Sequence, residues 1–63
     1  MQLIFIGEYT SATRTAHVFR FLDQARWMVH FYQQGFREPI VQGPYFSESD
    51  AESAAKGWIT CEN

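Results

Sequence analysis

The side chains that could do chemistry in this 63-residue chain are few and scattered. His17, His30 and Cys61 are its soft metal ligands, and they show none of the paired spacing of a zinc site. No metal and no cofactor is therefore expected. Cys61 with a histidine matches a nucleophile and its base in residue type only. It stands two residues from the end of the sequence, where enclosing a water-excluded pocket is difficult. Glu48, Asp50 and Glu52 are the densest acids, and a helix start accounts for them through capping and the helix dipole. Gly7, Gly35, Gly43 and Gly57 are isolated, so there is no glycine-rich loop to cradle a phosphate. No catalytic residue is assigned, and the expectation is a protein that is not an enzyme.

The elements that must position these residues can be read along the chain. Leu3-Ile4-Phe5-Ile6 is a continuous apolar run with β-branched members, the pattern of a central strand apolar on both faces. Tyr9 to Thr15 is polar and reads as a connecting loop. Ala16 to Phe21 reads as a second strand, with His17, Phe19 and Phe21 on one face and Val18 and Arg20 on the other. The two make a β-hairpin.

Leu22 to Gly35 reads as a helix, because Leu22, Ala25, Val29, Tyr32 and Phe36 fall on one helical stripe that Met28 joins. Asp23, Arg26, His30 and Gln33 line its other face, and Gly35 is placed to end it. Pro39-Ile40-Val41-Gln42 reads as a short strand that Gly43-Pro44 closes. Ser47-Glu48-Ser49-Asp50 carries a capping-box pattern that opens a second helix. That helix buries Ala51, Ala54, Ala55 and Trp58, has Phe46 as a staple on Ala51, and ends at Gly57. Ile59-Thr60-Cys61 is an optional last strand. The expected fold is a single α+β domain over residues 1–63, ordered β-β-α-β-α(-β). Its sheet is antiparallel or mixed, with two helices packed on one face.

Composition narrows the function classes. At 46% hydrophobic and 17% aromatic, the chain can bury enough apolar area to offset its lost conformational entropy, which argues against disorder. The apolar start lacks a basic leader and is too short for a signal peptide, and no run approaches a membrane span. One cysteine makes no internal disulfide, so a cytoplasmic setting is expected. Residues 1–37 hold four arginines against Glu8 and Asp23, a net +2, whereas residues 38–63 hold Lys56 against five acids, a net −4. Such a dipolar chain can present a charged face to a partner.

On the expected long helix, Trp27 and Phe31 are i, i+4 neighbours away from the buried stripe. Beside Arg26 and His30 they would make an exposed aromatic anchor pair of the kind enriched at interfaces. Glu48, Asp50 and Glu52 would complement a basic partner. These seven residues form the expected partner-binding site. In size and aromatic content the chain resembles small phage or mobile-element proteins that block host machinery, such as anti-CRISPR and polymerase-inhibitor proteins. The resemblance implies an inhibitor that occludes a larger host protein or nucleoprotein complex. Two rivals remain. The arginines interleaved with phenylalanines could stack single-stranded nucleic acid, although a pI near 5.5 gives a weak electrostatic footprint. The same patch could instead make a structural homodimer.

Overall fold

Four strands and one helix follow one another in the computed structural model, which describes residues 2–60. They are β1 (Leu3–Thr10), β2 (Arg14–Phe21), β3 (Trp27–Gln33), β4 (Ile40–Tyr45) and α1 (Glu48–Thr60). The strands form an antiparallel meander in the order β1-β2-β3-β4. α1 crosses one face, chiefly over β2 and β3.

The expected β-β-α-β-α arrangement with two helices is thus corrected to β-β-β-β-α. Trp27 to Gln33 is a strand, and Leu22 to Arg26 is the turn region before it. The physical reason lies in the segment itself. Trp27, Val29, Phe31 and Gln33 alternate with Met28, His30 and Tyr32. β-branched and aromatic side chains favour the pleated surface, and the register Val18↔Val29 and Ala16↔Phe31 buries every second residue. Because the alternate residues are also bulky, the sequence matches a helical stripe as well as a strand.

Smaller corrections follow. β1 is an edge strand and not a central one, and it runs on to Thr10 with a bulge between Phe5 and Gly7. β4 continues through Gly43-Pro44, whose peptide is cis, to Tyr45. Gly43 is obligatory there. Its φ is +136°, and a Cβ would lie 2.7 Å from the Met28 sulfur and 3.0 Å from the Trp27 carbonyl oxygen. Gly57 does not end α1, which extends to Thr60, so Ile59 and Thr60 are helical. Cys61 lies outside the described residues. The expected start of α1 is found in place: the Asp50 amide donates to the Ser47 hydroxyl at 3.1 Å.

The core lies between sheet and helix. Ala16, Val18, Val29 and Phe31 meet Ala51, Ala55 and Ile59, flanked by Tyr9, Trp27, Tyr45 and Trp58. Alanines on both layers let the helix approach closely. Phe31 sets its ring 4.8 Å from that of Trp58.

Candidate binding face

Helix and sheet make two layers, so one face of the sheet has no cover. Antiparallel partners point to the same side of a sheet, and this assigns every strand residue of known register to a face. Arg14, Ala16, Val18 and Arg20 of β2 look toward α1 with Trp27, Val29, Phe31 and Gln33 of β3. The opposite face carries Leu3, Phe5 and Glu8 of β1, then His17, Phe19 and Phe21 of β2. β3 adds Met28, His30 and Tyr32, and β4 adds Val41. With strands about 4.8 Å apart and a rise of about 3.3 Å per residue, the face spans roughly 400 Å² in projection.

Five rings meet at its centre. Phe5 stands edge-on to His17 at 5.5 Å and to Phe19 at 5.7 Å. His17 lies 5.0 Å from Tyr32, and Phe19 lies 4.7 Å from His30. Such edge-on and tilted pairs hold one another's rings in place. Glu8 is the one formally charged strand residue on this face, and its carboxylate is 2.9 Å from His17 Nε2. Burial among these rings, with His17 next to it, holds His30 below its ordinary pKa. At neutral pH the centre of the face is therefore uncharged at His30.

The cations are placed elsewhere. Arg14 donates to the Trp58 carbonyl at 2.7 Å and lies over the Trp58 ring. Arg20 lies over Trp27, and Arg26, in the β2–β3 connection, lies over Phe46. Lys56 lies over Tyr9, whose hydroxyl is pushed above its ordinary pKa by burial and by Glu52 and Glu48.

The seven residues expected to form one site do not come together. Phe31 is 5% exposed and belongs to the core. Trp27 is half-buried beside it, with an indole N–H that finds no partner. They are therefore not an exposed helical pair, because their segment is a strand and both point under α1. Arg26 is exposed in a turn, and Phe46, the expected staple, is exposed beneath it. Glu48, Asp50 and Glu52 lie on α1, in the layer opposite the open face. Only His30 sits on that face. The missed residues are Phe5, Phe19, Tyr32 and His17. The grouping of His17 with Phe19 and Phe21 is legible in the sequence, but nothing in it says which face of the sheet the helix covers.

No cluster of three or more metal-ligating side chains exists among the described residues. A depression of about 460 Å³ at the β1–β2 turn is lined by Ser11, Thr13, Arg14, Gln33 and Tyr32 among others, with no carboxylate, histidine or cysteine in its wall. No described helix is long and apolar enough to cross a membrane. No family model, curated protein or solved structure matches the chain.

Proposed function

We propose that the protein is a non-enzymatic binding module that docks the open face of its sheet onto an apolar surface of a larger protein. The observation that carries this reading is the five-ring cluster on a face whose described strand residues include one carboxylate and no arginine or lysine. The largest apolar patch on a monomer is often functional, and rigid aromatic anchors give contact area at low entropic cost. Binding of this kind occludes whatever the partner surface does, as a small phage-type inhibitor would. A cytoplasmic setting fits the single cysteine. Single-stranded nucleic acid fits the rings but not the charge: phosphate contacts dominate its affinity, and the strand arginines Arg14 and Arg20 lie on the other face.

The test is capture of partners from host lysate by the tagged protein, compared with Phe19→Asp and Tyr32→Ala variants whose circular dichroism is unchanged. The reading expects a stoichiometric protein that survives nuclease and is lost with either variant. Capture that is indifferent to both variants, or abolished by nuclease, overturns it.

A further inference from the structure

We infer that β1 is the seam of a symmetric dimer, in which the β1 strands of two copies pair antiparallel, edge to edge, and join two four-stranded sheets into one of eight. Sheet edges present unpaired backbone groups, and proteins commonly guard them with proline, charge or bulges. The two edges here are guarded unequally. β4 is preceded by Pro39 and contains Gly43-Pro44 and a register shift opposite Trp27–Val29. β1 has eight residues, no proline, no lysine or arginine, and one charge, Glu8, beyond its single bulge. Among the described residues nothing guards Leu3-Ile4-Phe5, before the bulge.

The side chains of that segment point the same way. Leu3, Ile4, Phe5 and Ile6 are 40%, 39%, 55% and 37% exposed. Leu3 and Phe5 lie on the open face, while Ile4, opposite Arg20, lies on the helix side, where it keeps its 39% exposure because α1 sits chiefly on β2 and β3. A continuous apolar run is the pattern of a strand with neighbours on both sides and cover on both faces. As an isolated edge the run exposes both its faces. Beside a second β1 its backbone edge becomes interior and the two Ile4 side chains meet between the two helices, while Leu3 and Phe5 stay on the open face.

A second copy fits better than a foreign strand for two reasons. The run carries no charge, so a twofold pairing opposes apolar to apolar with no like-charge contact. The twofold also consumes both β1 edges and leaves only the proline-bearing β4 edges outside, so assembly closes at two and does not run on as a filament. The paired stretch is short, which puts the interface at the low end of specific areas, near 1,000 Å² or less, and the affinity in the micromolar range. The open face stays free in this dimer and is doubled in extent. The inference is thus independent of what docks there.

The experiment is sedimentation velocity of the whole chain from about 1 to about 200 micromolar, with hydrogen exchange at both ends of the range. The expected mass rises to twice 7.4 kDa, and the amides within residues 3–6 that point away from β2 gain protection as it rises. Ile4→Lys should weaken the dimer tenfold or more, while Ile4→Val keeps it. Should Ile4→Lys fail to fold, the concentration-dependent protection of the natural chain decides alone. A monomer throughout, or a dimer whose protection gain falls elsewhere than residues 3–6, overturns the inference. A dimer lost with Phe19→Asp but kept with Ile4→Lys would be a face-to-face pair and overturns it as well. Partner capture by a chain that stays monomeric would sink this proposal and leave the functional one standing.

Discussion

Replacing Phe31 by alanine separates the observed sheet from the helix that the periodicity favours. On the helical stripe Phe36 would be buried and Phe31 would lie toward the surface. In the sheet the roles reverse: Phe31 is 5% exposed and Phe36 is 69% exposed. Removing a buried phenylalanine ring forfeits roughly 150 Å² of apolar burial, about 4 kcal/mol at ~25 cal/mol/Å². Measured losses for such truncations run about 3–5 kcal/mol. A domain of this size rarely has more than about 3–5 kcal/mol in total, so Phe31→Ala should be largely unfolded at 25 °C. Phe31→Leu keeps most of the volume and should cost about 1–2 kcal/mol, which leaves a measurable transition. Phe36→Ala should stay within about 0.5 kcal/mol of the natural chain. Urea titration followed by tryptophan fluorescence reads all three, since Trp58 lies 4.8 Å from the Phe31 ring. If Phe31→Ala loses less than about 1 kcal/mol while Phe36→Ala loses more, the placement of β3 under α1 is wrong.

Three further perturbations test separate parts of the structure. Gly43→Ala forces a Cβ against Met28 and the Trp27 carbonyl at a positive φ and should cost about 1–3 kcal/mol, read as a lower melting temperature. Ser47→Ala removes the acceptor for the Asp50 amide and should cost about 1 kcal/mol, with exposed Ser49→Ala as a neutral control in the same melts. Acid should weaken the fold through His30, whose pKa is lowered by burial and then by His17. The unfolded chain takes up the proton first, so this contribution is fully present above pH ~6.5 and is lost as pH falls toward the lower folded value. Urea midpoints between neutral pH and pH 5 should fall less steeply in His30→Asn than in the natural chain, and an equal slope refutes the assignment.

The parts of the fold legible in the sequence were those carried by local chemistry. Ser47 three residues before Asp50 marks a helix start whatever surrounds it, and the alternation in Ala16–Phe21 gives the correct faces of β2. Trp27–Gln33 was not legible, because apolar residues on both faces erase the period that distinguishes strand from helix. What decides it is long-range: β2 offers Ala16 and Val18 as partners for Phe31 and Val29. That single ambiguity carried the candidate site with it. Trp27 and Phe31 became surface anchors on a helix, whereas the pairing of β3 puts them under α1. His30 survived on the open face because strand alternation moves it away from its neighbours Val29 and Phe31.

The same ambiguity is a physical consequence of an open sheet face rich in rings. A two-layer α+β domain needs apolar residues on one sheet face only, and its other face normally alternates to polar. Here the buried layer is lean, with Ala16, Ala51 and Ala55 among its members and Val18 and Val29 as its largest fully buried side chains. Phe5, Phe19, Tyr32 and Met28 stand on the uncovered side. Moving such rings into the core would stabilise a 63-residue chain that can spare little free energy. Leaving them outside adds an aggregation hazard instead. Stability of the monomer does not account for that arrangement, whereas the docking proposed above, with a partner surface laid over the rings, would.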